Sequence, residues 1–180
     1  ITFKDAANIR YSNKHEGVVH SSNLCTEIFL HTKPTKHDEG EVIEIGETAV
    51  CNLASINLAS HLKVRTIDWK KLQQTVETAI RGLDNVINLN FYPTKEAEKS
   101  NLAHRPIGLG IMGTHDILHR LAIPYNSKDA VVICGKIQEF ISLHAIKTSA
   151  LLAKEKGKYP SFKGSEWDSG NFPIDTYCDL

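Results

Sequence analysis

The 180-residue sequence lacks the features that direct a protein to a membrane or to nucleic acid. No apolar run approaches the roughly 20 residues that a membrane-spanning helix needs. The first residues, ITFKDAANIR, are polar and contain no apolar stretch typical of a signal peptide. Lysine plus arginine equals aspartate plus glutamate, at 21 each, so no basic surface is indicated. These absences predict a cytoplasmic protein without direct contact to membrane or nucleic acid.

Cysteine and histidine are too scattered to indicate a metal centre. The four cysteines show no CxxC and no zinc-finger spacing, and the nine histidines form no HExxH motif. We therefore predict no metal site. Without a secretory signal the thiols are expected to be reduced, and a buried, inert thiol is the ordinary interpretation of any one of them. The four positions are Cys25, Cys51, Cys134 and Cys178.

The composition is that of an ordinary globular protein, with 41% hydrophobic and 23% charged residues. A chain of this length can form one domain with a core. It does not begin with methionine, and Met112 is its only one. A piece of a larger protein is one interpretation, and processing of a longer chain is another.

The first third of the chain is predicted to be strand and loop. Residues 1–32 have that character, and the polar segment TKPTKHDEGEVIEIGET, which includes Gly40 and Gly46, is predicted as an exposed loop or hairpin. Residues 49–62 indicate a short strand that passes into a helix.

The remainder is predicted to be rich in helix after residue 66, which makes the fold class α/β. Apolar residues recur at three- and four-residue steps from Asp68. A second helix is expected from Pro106 to about Leu121. A third is expected between Ser127, a good N-cap, and Gly157, a good C-terminal stop. Its buried side is predicted to include Ile133, Ile137, Phe140, Ile141, His144 and Leu151.

The segment GLGIMG at 108–113 matches the Gly-x-Gly-x-x-Gly pattern of dinucleotide-binding proteins. Asp129 lies near the distance at which that motif places an acidic residue. However, the motif requires a buried strand in front, and Pro106 lies two residues before the first glycine. We therefore predict a helix whose glycines permit close packing.

The segment NLCTEI at 23–28 places three chemically capable side chains at alternate positions. Residues two apart share a face in extended backbone but not in a helix. A straight strand would hold Asn23 and Glu27 roughly 13 Å apart, at about 3.3 Å per residue. Both can touch one small ligand only if the chain bends around Cys25. We therefore predict a non-helical loop with the thiol at its apex and all three side chains facing one cavity.

The glutamate also decides which thiol chemistry suits this segment. A neighbouring negative charge disfavours a thiolate, whereas a papain-like nucleophile needs a positive neighbour. The pattern therefore favours an S–H group at Cys25 that gives up a hydrogen atom rather than a proton. His20 is a further candidate base, although a hydrogen-bonded histidine is the simpler interpretation. Arg105, Trp69 and Phe140 are predicted to be structural.

Several segments together resemble the large, catalytic subunit of class I ribonucleotide reductase. They are VVHSSNLCTEI (18–28), AVCNLASINL (49–58), HRPIGLGIMG (104–113) and FPIDTY (172–177), so the resemblance covers essentially the whole chain. Leu24 and Thr26 favour class I, because the vitamin-B12-dependent class has proline and glycine around its cysteine. The resemblance implies a segment of a ten-stranded α/β barrel with Cys25 on a bent finger loop. Residues 1–180 would form part of one catalytic barrel domain, with no complete second domain.

The resemblance implies a role for each site residue. Cys25 becomes a thiyl radical that takes the 3′ hydrogen atom of a ribonucleoside diphosphate, in a dry barrel interior that protects the radical. Glu27 takes the proton of the 3′ hydroxyl, and Asn23 hydrogen-bonds the ribose. Cys51 is one of two thiols that supply the reducing equivalents and end as a disulfide; its partner lies outside this chain.

The resemblance also implies the partners. No cofactor is bound by this segment: a small, metal-containing subunit supplies the radical, ATP and deoxynucleotide effectors bind elsewhere in the full subunit, and thioredoxin or glutaredoxin restores the thiols. The family's ATP-binding domain, phosphate-binding loop and radical-transfer tyrosines have no counterpart here, and Tyr177 and Cys178 do not fit the carboxy-terminal roles. We therefore expect a central slice that is inactive alone.

Three other interpretations remain open at this point. The chain could be a non-catalytic remnant, one piece of a split enzyme, or a cysteine hydrolase. A hydrolase cysteine would alkylate quickly at about pH 6, whereas Cys25 is expected not to do so.

Overall fold

The computed structural model describes residues 3–172. They form two compact units, each assembled from separate stretches of the chain. Of the described residues, the first unit draws on 3–51, 87–106 and 158–172, and the second on 52–86 and 107–157.

Helices account for most of the regular structure, and the strands pair only two by two. In chain order the elements are α1 (Lys4–Arg10), β1 (Lys36–Asp38), β2 (Glu41–Glu44), β3 (Asn52–Asn57), β4 (Leu62–Lys63), β5 (Thr66–Ile67), α2 (Trp69–Leu89), α3 (Lys95–His104), β6 (Ile107–Met112), α4 (Thr114–Arg120) and α5 (Lys128–Lys156). Two 3-10 helices lie at Leu58–His61 and Pro160–Phe162. Residues 3–172 contain three two-stranded sheets and no closed barrel. The prediction of an α/β chain that is rich in helix after residue 66 is confirmed.

The polar segment after residue 32 forms the predicted hairpin. Strands β1 and β2 pair antiparallel, with Lys36 opposite Glu44 and Asp38 opposite Glu41. Gly40, in the connecting turn, has φ +89°, a left-handed conformation that glycine adopts without steric cost.

The amino-terminal part differs from the sequence prediction. A strand-and-loop region was expected over residues 1–32, but residues 4–10 form helix α1, and residues 11–32 contain turns and no strand. Asp5 in the first turn and Arg10 in the last turn both complement the helix dipole. A seven-residue helix spans two turns, which is too short for apolar periodicity to reveal it.

The core of the second unit lies among β3, α2, α4 and α5. Ten buried apolar side chains form one cluster: Ile56, Leu58, Ile67, Leu72, Val76, Ile80, Ile117, Ile137, Ile141 and Leu152. Trp69 and Phe140 pack against this cluster with ring centroids 4.9 Å apart, which confirms their structural role. On α5 the buried residue near the carboxyl end is Leu152, whereas the predicted Leu151 is 53% exposed.

The GLGIMG segment is a strand rather than the predicted helix. Strand β6 pairs in parallel with β3, from Asn52 opposite Ile107 to Asn57 opposite Met112. Apolar residues alternate with glycine in this segment, and that period of two suits a strand. Pro106 immediately precedes β6, where its missing N–H does not interrupt the ladder. The dinucleotide interpretation also fails, because that motif places its glycines in a turn between strand and helix.

Capping residues explain where α2 begins and where α5 begins and ends. Helix α2 starts directly after Asp68, as predicted, and Asp68 Oδ1 accepts from the backbone N of Lys71 at 3.0 Å. Before α5, Ser127 Oγ accepts a hydrogen bond from the backbone N of Ala130 at 3.1 Å, and Gly157 follows the last turn with φ +95°. Both ends of α5 match the prediction.

Helix α3 was not predicted. It buries small and polar residues instead of an apolar stripe, so its sequence lacks the usual periodicity: the buried positions are Ala97, Ser100, Asn101 and His104. Arg105 ends it in a left-handed conformation (φ +46°) and donates to Asn88 Oδ1 at 2.8 Å, which is a structural role as expected. Within residues 3–172, no helix combines the length and apolar character needed to cross a membrane.

Two glycine substitutions should change stability in opposite directions. A Cβ at Gly46 would collide with the carbonyl O of Lys33 and lie 2.5 Å from the backbone N of Thr35. We expect Gly46→Ala to lower the free energy of unfolding by more than about 1 kcal/mol. Gly82, on the exposed side of α2, has no neighbour within 4 Å. Gly82→Ala should raise stability by about 0.5–1 kcal/mol. Urea denaturation measures both changes. An unaltered free energy of unfolding in the Gly46→Ala variant would contradict the close approach of the Lys33–Thr35 backbone to Gly46.

Candidate active site

The segment around Cys25 is a tight turn, as its spacing predicted. The backbone N of Thr26 donates to the carbonyl O of Asn23 at 3.2 Å, which closes a turn over residues 23–26. Asn23 Oδ1 accepts from the backbone N of Ile28 at 3.0 Å, so this side chain also ties the two ends of the bend together. Thr26 has φ +68°, a conformation that β-branched residues rarely adopt. The prediction of a non-helical segment is confirmed.

The three candidate side chains are exposed. Asn23, Cys25 and Glu27 all lie at the surface of the described residues, and Leu24 beside them is 99% exposed. Within residues 3–172, the three groups are therefore not enclosed. That they face one cavity stays a prediction. His20 is also exposed, and its role as a base stays untested.

Helix α1 anchors the chain just before the turn. The side chain of Asn8 accepts from the backbone N of Val19 at 2.8 Å and donates to its carbonyl O at 2.9 Å. The amide thus satisfies both backbone groups of Val19, as a neighbouring strand would. Val19 is itself buried, at 1% exposure. Its backbone hydrogen bonds and its buried side chain together hold the chain that leads into the turn.

An antiparallel bridge connects the chain after the turn with the chain before Cys51. Lys33 N donates to Glu47 O at 3.0 Å, and Glu47 N donates to Lys33 O at 2.8 Å. In an antiparallel arrangement, residues that precede one partner lie beside residues that follow the other. The bridge therefore directs residues before Lys33, including Glu27, toward residues after Glu47, including Cys51.

The electrostatics of Cys51 reflect this approach. Its side chain is half-buried, and burial raises the pKa of the thiol to about 11, with a further increase from the negative charge of Glu27. Cys51 is therefore a protonated thiol at neutral pH. Glu27 was expected to influence Cys25, its neighbour in sequence. Its effect on Cys51, 24 positions away, could not be inferred from spacing.

A buried ionic cluster surrounds the side chain of Glu47. Its Oε2 accepts from Nε2 of His31 at 2.9 Å and from Nε2 of His104 at 2.6 Å, and its Oε1 accepts from Lys33 Nζ at 3.0 Å. Burial alone would raise the pKa of Glu47, but hydrogen bonds from His104 and Lys33 outweigh it and lower the pKa to about 2. Burial lowers the pKa of His31, and the neighbouring His104 adds to this.

Sequence reasoning missed this cluster. Its members lie 16 and 57 positions apart along the chain, so no local motif connects them. The only available signal was a glutamate, Glu47, two residues before the apolar segment at residues 49–62, where a buried charge would need partners.

The whole chain matches one family model. Residues 1–179 match the model described as ribonucleotide reductase, barrel domain. The chain therefore belongs to the ribonucleotide reductase barrel-domain family. Tyr177 and Cys178, with most of FPIDTY, lie outside the described residues.

Relatives from distant organisms carry consistent names. The chain is 53% identical over 176 residues to the ribonucleoside-diphosphate reductase subunit alpha of Chlamydia trachomatis, covering 98% of this chain and 16% of the relative. The subunit alpha of Helicobacter pylori is 39% identical, with 97% and 27% covered. The large chain of Neurospora crassa is 37% identical, with 97% and 18% covered. The chain thus spans between about one sixth and one quarter of the length of these relatives.

The proximity of Glu27 and Cys51 can be measured through thiol reactivity. Because only the thiolate is alkylated, the rate at Cys51 should rise about tenfold per pH unit and level off only near pH 11. Glu27→Gln should lower the pKa of Cys51 and increase its alkylation rate at neutral pH, while burial keeps that pKa above the ordinary value. Peptide mass spectrometry resolves the rate at each cysteine.

Glu41→Gln is the matched control for this measurement. Glu41 is exposed on strand β2, so its substitution should leave the alkylation of Cys51 unchanged. Equal rates in the wild type and the Glu27→Gln variant would show that Glu27 does not act on Cys51.

Proposed function

We propose that this chain is the radical-bearing segment of the catalytic subunit of a ribonucleoside-diphosphate reductase, and that it acts in the cytoplasm. The observation that carries the proposal is the family membership, combined with Asn23, Cys25 and Glu27 on one non-helical turn. The relatives' names identify the overall reaction as reduction of ribonucleoside diphosphates.

Cys25 is the residue that attacks the substrate. As a thiyl radical, it removes the 3′ hydrogen atom of the ribose and returns a hydrogen atom at the end of the cycle. Its exposed position at the bend, between Leu24 and Thr26, leaves the sulfur accessible to a substrate laid against the turn.

Glu27 and Asn23 act on the hydroxyl groups of the ribose. Glu27 is exposed beside the thiol, and its carboxylate accepts the proton of the 3′ hydroxyl as a general base. The Oδ1 of Asn23 is occupied by the backbone N of Ile28. We therefore assign the contact with the ribose to the amide N–H groups of Asn23, which donate to a hydroxyl oxygen.

Cys51 supplies reducing equivalents. The 2′ hydroxyl leaves as water, two electrons pass to the ribose, and two thiols become a disulfide. The raised pKa of Cys51 suits this role, because its thiol still carries a proton to deliver. Its partner is a cysteine outside this chain, since a bond to Cys25 would consume the thiol that carries the radical.

The complete reaction needs further components. We propose that a small, metal-containing subunit generates the radical, that ATP and deoxynucleotide effectors bind elsewhere in the full subunit, and that thioredoxin or glutaredoxin reduces the disulfide. No metal or cofactor is assigned to the reaction site of this segment.

Substitution of Cys25 tests the proposed mechanism in the assembled enzyme. Cys25→Ser should abolish deoxynucleotide formation and leave substrate binding nearly unchanged, because serine keeps the shape but its O–H bond is too strong for hydrogen-atom exchange. Glu27→Gln should lower kcat by roughly 100- to 10,000-fold, because an amide cannot accept the proton. Cys134→Ser, on helix α5, is the matched control and should retain activity. Appreciable turnover by the Cys25→Ser variant would rule out a thiyl step at this position.

The chain alone should be inactive, because we propose that the cysteine that forms the catalytic disulfide with Cys51 belongs to another part of the catalytic subunit. The assay supplies the purified chain with a radical-generating subunit and a reductant, first alone and then with the remaining parts of the catalytic subunit in trans. Activity is expected only in the second case, with Cys51 bonded to a cysteine outside this chain when turnover is stopped without reductant. Mass mapping identifies that disulfide. Activity of the chain alone would refute the requirement, and inactivity in both cases would favour a non-catalytic remnant.

A further inference from the structure

The buried cluster of His31, Glu47 and His104 takes no part in the proposed reaction. Its side chains are only 1%, 5% and 6% exposed. One ligand-type atom from each residue lies within 4.8 Å of the others. We propose that this cluster is a structural metal site that binds one divalent transition-metal ion, with zinc(II) the best match. The inference does not depend on the proposed function.

The donor set matches the preferences of zinc. Imidazole nitrogen is a common ligand of zinc, and two histidines with one glutamate form a recurrent set of three protein ligands that a water molecule completes to four. Here Nε2 of His31 and Nε2 of His104 converge on the same oxygen, Oε2 of Glu47, at 2.9 and 2.6 Å. Magnesium and calcium prefer oxygen ligands alone and fit this set poorly.

The second ring nitrogen of each histidine already has the kind of partner that surrounds a metal site. Nδ1 of His31 lies 2.6 Å from the hydroxyl of Tyr11, and Nδ1 of His104 lies 2.7 Å from Oγ of Ser161. In metal sites, such contacts to the second ring nitrogen fix the orientation and tautomer of the histidine. Both partners are hydroxyl groups, which can accept an N–H from the ring as well as donate to it.

The tautomer of His104 decides how its Nε2 meets Glu47. Oγ of Ser161 lies 2.7 Å from Nδ1 of His104 and 3.2 Å from the carbonyl O of Ala103. If the hydroxyl donates to Nδ1, Nε2 carries the hydrogen that Glu47 accepts at 2.6 Å. If the hydroxyl donates to Ala103, Nδ1 carries the hydrogen and the lone pair of Nε2 is available to a metal ion. Metal binding selects the second arrangement, which Ser161 supports by accepting from Nδ1.

The net local charge is compatible with a divalent cation. The ammonium group of Lys33 repels a cation at this site, since its Nζ lies 3.0 Å from Oε1 of Glu47. The same ammonium group also pairs with Glu16 at 3.3 Å. Two carboxylates and one ammonium group leave one net negative charge, so a bound dication would face an attractive local field.

Binding requires the ligand atoms to change their spacing. Zinc with bonds of about 2.0–2.1 Å holds tetrahedral ligand atoms roughly 3.3 Å apart. The Nε2–Oε2 separations of 2.9 and 2.6 Å are those of hydrogen bonds and have to lengthen, and all three ligand atoms already lie within 4.8 Å of one another. The ion would then link the chain that follows the Cys25 turn, the chain that precedes Cys51 and the end of α3.

Cobalt(II) is the probe for the test, because its visible absorption reports the coordination geometry, whereas zinc(II) has no visible absorption. The full polypeptide that carries this sequence is treated with chelator and titrated with Co²⁺, and Zn²⁺ is then added in competition. We expect the wild type to bind one more equivalent of Co²⁺ than His31→Gln, His104→Gln or Glu47→Gln, with an intense tetrahedral-type spectrum that Zn²⁺ abolishes.

His61→Gln is the matched control. His61 is also buried, at 4% exposure, and hydrogen-bonded to Thr75 Oγ1 at 2.9 Å, but it lies outside the cluster. Its substitution should keep the Co²⁺ spectrum. Tyr11→Phe provides a second arm if the ligand variants do not fold. It removes only the hydroxyl that contacts His31 and should weaken binding by about 10- to 100-fold.

Two results would overturn the proposal. One is the absence of the Co²⁺ spectrum in the folded wild type. The other is equal Co²⁺ uptake and equal spectra in the wild type, the ligand variants and Tyr11→Phe. Either result would show that protons alone hold the cluster together and that any metal uptake occurs elsewhere.

Discussion

The buried carboxylate of Glu47 is the interaction on which the geometry of the candidate site depends. A lone buried charge is strongly unfavourable, and removing one partner of a buried ion pair typically costs about 3–5 kcal/mol. Glu47 avoids this cost with three charged or polar donors, two on its Oε2 and one on its Oε1. Two of them, His31 and Lys33, lie a few residues after the Cys25 turn, and Glu47 itself lies four residues before Cys51. The cluster therefore fixes both cysteine segments through one charge.

The long helices and the hairpin could be predicted because their signals are local. Helix α2 shows its apolar stripe within any two turns, and α5 is bounded by Ser127 and Gly157, which act through hydrogen bonds to adjacent residues. The turn at residues 23–26 was predictable for the same reason: alternate placement of Asn23, Cys25 and Glu27 is useful only in bent or extended backbone. In each case the sequence pattern that predicts the element lies within the element or directly beside it.

The rest depended on partners that are distant in sequence. Strand β6 exists because β3 lies alongside it, and its glycines at alternate positions resemble a packing motif when read alone. Helix α3 hides small and polar side chains, so the usual apolar stripe is missing. Likewise, Glu27 acts on the pKa of Cys51 because the Lys33–Glu47 bridge brings the two segments together. No spacing rule within either segment contains that pairing.

The proposed chemistry has two structural requirements: a bent backbone that presents Cys25, and surroundings that keep water away from it. The bend around Cys25 is already formed, with Thr26 in a conformation that costs about 1–3 kcal/mol and persists only where its surroundings impose it. The anchors are in place as well, with Asn8 holding Val19 before the turn and Glu47 holding Lys33 after it. A thiyl radical, however, needs protection from water, and Cys25 is exposed in the described residues. We infer that these residues supply the preorganised turn, and that the dry surroundings come from atoms beyond residues 3–172. A turn that is already bent, with Thr26 N bonded to Asn23 O and Ile28 N to Asn23 Oδ1, can be enclosed without a change in the backbone that carries the reacting groups.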